Sequence, residues 1–313
     1  MALGIAILVV VCTAFSFGFN ALTRKPATVP TGLTYVRTGD LNTRFRQWGT
    51  TGTPIVLVHG FVESAETWQY TASRLAAAGH RVYALDLDGW GYSQRVAPFT
   101  AAHQATQLLD FIAALHLDRP LVVGHSSGAA IVAAAALRRP SAMGAVMFLD
   151  GDALSTGAGA RSPLTQLLID PYRTTILRLL VRLSPVVRSI YGSTCGDSCP
   201  RLDARGLDQW RRPLQVAGAE AALWAMAKQG VPGLPPSTLA RLATTPLPKA
   251  VVFGADDTEF DKRSPFTTAA LIGAPPPTLI PGARHLTPVN SPGAVAAAVL
   301  ALDRRVGANR AAP

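Results

Sequence analysis

Pro120-Leu121-Val122-Val123-Gly124-His125-Ser126-Ser127-Gly128-Ala129-Ala130 reads as a short apolar strand that runs, without a spacer, through G-x-S-x-G into an alanine-rich helix. That order has a physical reason. A serine on a sharp strand-to-helix turn is pushed out with its hydroxyl exposed, and the flanking glycines let neighbouring backbone pass where a Cβ would collide. Ser126 then stands at a helix N-terminus, where free N–H groups and the helix dipole favour developing negative charge. A plain Gly/Ser turn would need neither the strand before it nor the helix after it.

Outward from this point, apolar β-branched runs alternate with helical patterns, the signature of a mostly parallel sheet with helices on its faces. Upstream, strands are expected at Thr34–Thr38, Arg44–Gly49, Pro54–Val58 and Arg81–Asp86, with helices at about Trp68–Ala78 and Thr100–Leu115. Downstream, Ala145–Leu149 is a strand ending at Asp150-Gly151-Asp152, after which the alternation stops. From about Ala153 to Thr245 there are only broken helical stretches. Two strands, Ala250–Phe253 and Thr278–Ile280, and a helix over Pro292–Leu302 close the pattern. A helical insertion between two pieces of sheet is expected to cover the strand ends, where α/β sheets place their ligands. The expected organisation is an N-terminal hydrophobic anchor or signal over 1–24, core over 25–152, helical cap over 153–245, core over 246–305 and a disordered tail over 306–313.

A serine nucleophile needs a base, and the chain has six histidines. His80, His103 and His116 fall on helices or their ends, while His59 and His125 belong to strand-end loops. His285, in Ile280-Pro281-Gly282-Ala283-Arg284-His285, follows the last strand. In the chain order Ser, acid, His, this is the position of the base. The acid is expected after the preceding strand, in Gly254-Ala255-Asp256-Asp257. Asp257 is the first choice and Asp256 the second, with Asp150 an earlier alternative whose simpler role is loop capping. Backbone N–H groups for an oxyanion are expected from Ser127 and from Phe61, with Val62 next, while His59 braces its own loop.

His59-Gly60-Phe61, Asp86-Leu87-Asp88-Gly89-Trp90-Gly91-Tyr92-Ser93, Gly124-His125-Ser126-Ser127-Gly128, Gly254-Ala255-Asp256-Asp257 and Gly282-Ala283-Arg284-His285 together resemble the ordered motif set of capped α/β-hydrolases. The resemblance covers roughly Thr34 to Arg304, apart from the cap. It implies an α/β-hydrolase fold and acyl chemistry without a metal or organic cofactor. Haloalkane dehalogenases and soluble epoxide hydrolases of this fold carry Asp at the elbow, where this chain has Ser126. Carboxylic ester hydrolysis is therefore the expectation. A thioesterase, acyltransferase or C–C hydrolase would share the triad, and a ligand-binding receptor could keep the fold without turnover.

Composition bounds the partners. The 313 residues include 29 Lys plus Arg against 19 Asp plus Glu, for a net charge of +10. The basic residues are scattered, without the dense patch that nucleic-acid binding requires. Met1 to Leu22 contains no charged side chain and is followed by Thr23-Arg24-Lys25-Pro26. That length suits a membrane-crossing helix better than a cleaved signal, because no basic residue precedes it and Ser16-Phe17-Gly18 is a poor cleavage site. Cleavage would make the protein secreted. The Arg24-Lys25 flank favours a cytoplasmic domain. Cys195 and Cys199, with three residues between them in a Gly-containing loop, favour a disulfide and hence an extracytoplasmic one, which is the expectation retained. Within the insertion, Leu164, Leu167, Leu168, Ile176, Leu179, Leu180 and Leu183 with Arg173, Arg178, Arg182 and Arg188 suggest an amphipathic surface, either packed on the core or meeting an anionic interface. Trp210, Trp224 and Met226 are candidates to line a pocket for an apolar acyl or aromatic ester.

Overall fold

The structure is a computed structural model that describes residues 2–155 and 169–311. Leu164, Leu167 and Leu168 lie outside the described residues. The strands are β1 (Thr34–Thr38), β2 (Leu41–Trp48), β3 (Pro54–Val58), β4 (Arg81–Leu85), β5 (Leu121–His125), β6 (Ala145–Leu149), β7 (Lys249–Gly254) and β8 (Thr278–Ile280). They form one sheet in the order β1-β2-β4-β3-β5-β6-β7-β8, antiparallel at the β1-β2-β4 edge and parallel from β4 onward. The main helices are α1 (Ala2–Leu22), α2 (Gln69–Ala77), α3 (Ala101–Ala114), α4 (Gly128–Arg138), α5 (Tyr172–Arg182), α6 (Ser184–Cys195), α7 (Ala204–Arg211), α8 (Ala219–Gln229), α9 (Pro236–Ala240), α10 (Ser264–Ile272), α11 (Thr287–Asn290) and α12 (Pro292–Ala311).

The strand period of two explains the two-sided core. Val56, Val58, Val122, Val146 and Phe148 face α3, α4 and α10, whereas Ile55, Leu57, Leu121, Val123, Met147 and Leu149 face α2 and α12. A central parallel strand is buried on both faces, which is why β3, β5 and β6 are continuous apolar runs rather than alternating ones. Thr100 starts α3 by accepting a hydrogen bond from the His103 N–H at 3.2 Å. At the end of β4, fully buried Asp86 accepts the N–H groups of Ala65 (2.7 Å) and Tyr92 (2.8 Å) and faces the buried Arg44 guanidinium. A Cβ on Gly91 would lie 2.0 Å from the Asp86 carboxyl carbon, so the Gly91 position must lack a side chain for this loop to close.

Three elements differ from the sequence expectation. Strand β2 begins at Leu41, because the turn at Gly39-Asp40 is tight enough for Thr38 to pair with Leu41. The segment before α2 is a 3-10 turn over Ala65–Trp68, capped by Ser64. The last helix does not end at Leu302 but runs to Ala311, since Val306 is buried against the α2 side of the core and holds the chain helical.

Between β6 and β7 the chain leaves and re-enters through a narrow neck. Leu154 pairs with Leu234, Ser155 N–H donates to Leu234 O at 3.0 Å, and Leu234 N–H donates to Ala153 O at 2.9 Å. Beyond the neck, α9 and the turn Arg241–Thr244 bury Leu239 and Leu242 in the same core as the sheet.

Backbone also approaches closely where α4 meets the end of β3. A Cβ on Gly128 would sit 2.6 Å from His59 O and 2.7 Å from Val58 O. Gly128→Ala is expected to lower the unfolding free energy by about 1–3 kcal/mol through overpacking. Urea denaturation checks this as a lower midpoint at unchanged slope.

Candidate active site

Three strand-end loops converge on Ser126. It follows β5 directly and has φ 51°, a left-handed conformation that an ordinary side chain adopts only under constraint. Its N–H donates to Leu149 O at 2.9 Å, which ties the turn to the end of β6. The loop after β3 passes so close that a Cβ on Gly60 would lie 2.8 Å from the Ser126 Cβ. In that loop Val62 also has a positive φ, 62°, and Phe61 packs edge-on against Trp90 with ring centroids 4.8 Å apart. Ser127, in right-handed helical backbone, precedes the first residue of α4.

His285 Nε2 lies 3.0 Å from Ser126 Oγ, so the serine hydroxyl can donate to it. His285 Nδ1 lies 2.9 Å from Asp257 Oδ2. The second Asp257 oxygen accepts the Glu259 N–H at 2.8 Å, which fixes the carboxylate plane. Both His285 and Asp257 are buried, while Ser126 is half-buried. The sequence-adjacent alternative, Asp256, is exposed, and its backbone N–H is used on Ala283 O. Asp150 is fully buried but committed elsewhere. It accepts the Gly254 N–H at 2.7 Å and the Thr287 hydroxyl, and burial raises its carboxyl to about 7. His59 accepts the Leu87 N–H on Nε2 at 3.0 Å, so its proton sits on Nδ1 facing Gly60 O at 2.8 Å. It braces its loop and stays neutral, since burial lowers its pKa.

Behind the relay lies a pair that the sequence did not reveal. His125, fully buried, faces Glu63 from Nδ1 at 3.0 Å and the His285 carbonyl from Nε2 at 2.9 Å. Both partners are acceptors, so both ring nitrogens must donate and the imidazole is charged. Burial works against that charge, yet the Glu63 carboxylate, Asp150 and the His285 carbonyl together raise His125 to about 9. Glu63 is held below the ordinary carboxylate range because His125 outweighs its own burial. The Glu63 carboxylate also accepts the Gly60 N–H at 3.3 Å. One ion pair therefore links the Gly60 loop, the Ser126 turn and the His285 loop. A lone acid in the apolar run His59-Gly60-Phe61-Val62-Glu63 was the available signal for it.

The segment between β6 and β7 reaches the same loops. Cys195 and Cys199 are joined as a disulfide at the end of α6, with Cα atoms 5.9 Å apart. Leu286 N–H donates to Thr194 O at 3.2 Å and Asn290 Nδ2 to Cys195 O at 2.8 Å, so this turn holds the residues just after His285. Met226 is buried against Gly89 and Phe99, Trp210 packs on Tyr191, and Trp224 lies under the Arg173 guanidinium. Trp210 also borders a small cavity with Val62 and Glu63, and Trp224 borders a surface cleft with Arg173 and Lys228. Among the described residues no three His, Cys, Asp or Glu side chains group as metal ligands.

A family model described as alpha/beta hydrolase fold matches residues 53–230. The chain belongs to the α/β-hydrolase fold family. This α/β hydrolase is 34% identical over 101 residues to an epoxide hydrolase of Caballeronia sordidicola, covering 31% of each chain. It is 31% identical over 137 residues to a monoacylglycerol lipase of Mycolicibacterium smegmatis, covering 42% of this chain and 45% of that one. The chain thus spans from under a third to just under half the length of these curated relatives. Among solved structures, a membrane phospholipase A described as a bacterial virulence factor superposes with TM-score 0.70 at 20% identity, covering 99% of both chains.

The buried imidazolium gives a pH signature. His125 is raised from 6.5 to about 9 in the folded state, so its stabilising contribution is complete below pH 6.5 and is lost as pH rises through about 9. Melting temperature is expected to fall across that window in the native sequence, and His125→Asn should flatten the fall while lowering stability at pH 6.5.

Proposed function

We propose that this α/β hydrolase cleaves carboxylic esters with an apolar acyl or aromatic part, through an acyl-enzyme on Ser126. The observation that carries the reading is the relay Asp257–His285–Ser126 at 2.9 and 3.0 Å, set on a serine whose own backbone is left-handed. As the Ser126 oxygen attacks the ester carbonyl carbon, its proton passes to His285 Nε2. Asp257 accepts the His285 Nδ1–H bond throughout, which keeps Nε2 free as base and stabilises the imidazolium. The carbonyl oxygen takes up the negative charge facing the Phe61 and Ser127 N–H groups. Collapse breaks the C–O bond to the alcohol, which leaves with the proton from His285. Water, deprotonated by the same nitrogen, then releases the acid.

Relatives named epoxide hydrolase and monoacylglycerol lipase leave two chemistries in view. Serine at the elbow favours the ester: epoxide opening by this fold proceeds through a carboxylate nucleophile, and residue 126 offers a hydroxyl. The helices beyond the neck, α5 to α8, act as a cap over the strand ends. Helix α1 is a membrane anchor: it is 21 residues of apolar sequence with a single buried side chain, Ser16. The alignment with the membrane phospholipase A extends through it, which supports a lipid-like ester as substrate. The disulfide in α6 supports an extracytoplasmic catalytic domain.

The test uses the full chain in detergent with a fluorophosphonate probe, the adduct being located by peptide mass. Labelling at Ser126, lost in Ser126→Ala together with turnover of p-nitrophenyl esters, is the expected result. Labelling that persists in Ser126→Ala would overturn the assignment. Asp257→Asn is expected to lower kcat by about 10⁴-fold with the fold intact, because the wrong histidine tautomer faces the serine. Equal turnover of short and long acyl esters would refute the lipid-like substrate.

A further inference from the structure

The lower half of α1 is bound to the protein, and that fixes the depth of its partner. It meets α5 and the residue before it at Thr13, Asn20 and the following Thr23: Thr13 Oγ1 meets Tyr172 Oη at 2.5 Å, Asn20 Nδ2 donates to Pro171 O at 2.9 Å, and Arg178 Nη1 donates to Asn20 O at 2.8 Å. Arg182 Nη2 donates to Thr23 O at 3.1 Å. Among the described residues, Ala2 to Cys12 makes none of these hydrogen bonds, and at 1.5 Å rise per residue that is roughly 16 Å, about half of a ~30 Å hydrocarbon core. An inserted α1 therefore carries α5 down to the membrane surface.

Helix α5 is built for that depth. Ile176, Leu180 and Leu183 recur at helical spacing and are 40%, 46% and 47% exposed. Beside them, where α1 ends, a cavity of about 240 Å³ is lined by Arg24, Lys25, Arg178 and Arg182, with Glu220 the one acid in its wall. Arg178 is taken by Glu220 at 2.5 and 2.9 Å. Among the described residues no carboxylate lies within salt-bridge distance of Arg24, Lys25 or Arg182. Three unneutralised cations around a cleft, flush with an apolar helix face, match a phosphate joined to acyl chains.

We infer that the α1–α5 junction is a binding site for the headgroup of an anionic phospholipid, with Ile176, Leu180 and Leu183 seated in the acyl layer beside it. The inference rests on α1 being membrane-inserted. Catalysis is a separate matter, since the cleft is formed by α1, α5 and the start of α8 and not by the Ser126 loops.

The experiment uses the full chain. Flotation with phosphatidylcholine vesicles tests the anchor: a chain that does not float defeats the anchor and this inference together. For a floating chain, native mass spectrometry from detergent is expected to show phosphatidylglycerol adducts retained over phosphatidylcholine. Arg24→Gln with Lys25→Gln should lower that retention about fivefold for each charge removed. Both side chains are exposed, and preserved fluorophosphonate labelling verifies that the variant is folded. In a Cys12→Ser background, an environment-sensitive dye on Leu180→Cys should emit as in an apolar medium and be quenched by lipid-borne spin labels. Equal retention of the two lipids, retention unchanged in the double variant, displacement by inorganic phosphate alone, or a dye that stays in water would each overturn the headgroup site while leaving the anchor standing.

Discussion

A charged imidazole sealed inside a protein is tolerable only while acceptors face both of its nitrogens. At His125 those acceptors are Glu63 and the backbone of His285, which belong to different loops. The Gly60 loop, the Ser126 turn and the His285 loop are thereby committed to one another. Moving any one by an ångström strands a buried charge. Close backbone approach adds to this constraint: Gly60 passes Ser126, Gly128 passes His59, and Gly254 passes Ala283, each at distances that exclude a side chain. The distances in the Asp257–His285–Ser126 relay depend on this scaffolding at least as much as on the three side chains themselves.

Much of the sheet was legible because a strand buried on both faces has little choice of residue. Val122, Val146 and Phe148 could be read as strand from composition alone, and β1, β3 and β6 fall on the expected bounds. The convergence of Ser126, Asp257 and His285 followed from chain order, because each stands just past a strand's C-terminal end. Glu63 was not legible: its partner is sixty-odd positions away, and a single carboxylate in a loop looks like solvent-facing polarity. The choice between Asp256 and Asp257 hinged on which of two neighbouring side chains turns inward, a matter of backbone direction that spacing does not encode. Trp210, Trp224 and Met226 have a composition that serves packing and pocket lining equally, because aromatic and thioether groups satisfy both demands.

The helical segment couples to this centre at two points of different kind. At the neck, Ala153–Ser155 and Gly233-Leu234 are held by backbone hydrogen bonds, with Gly233 too close to Leu154 O for any side chain. At the disulfide turn, Thr194 and Cys195 carbonyls hold Leu286 and Asn290, just beyond His285. The first contact fixes where the segment begins and ends. The second places its far side against the histidine loop, so displacement of α6 is felt at His285 through the adjoining peptide bond.

The neck also makes the architecture modular. Strands β6 and β7 are neighbours in the sheet, so the chain departs and returns at almost the same place, whatever lies between. Closing such a loop becomes only slightly harder as it lengthens, by about 0.6 kcal/mol for each doubling. Insertions, deletions or wholesale exchange beyond the neck therefore burden the core very little, provided the stem survives and something still abuts Leu286. A lineage can thus try out new segments beyond the neck over an unchanged sheet and an unchanged Ser126 turn, as one changes the head of a tool and keeps the handle.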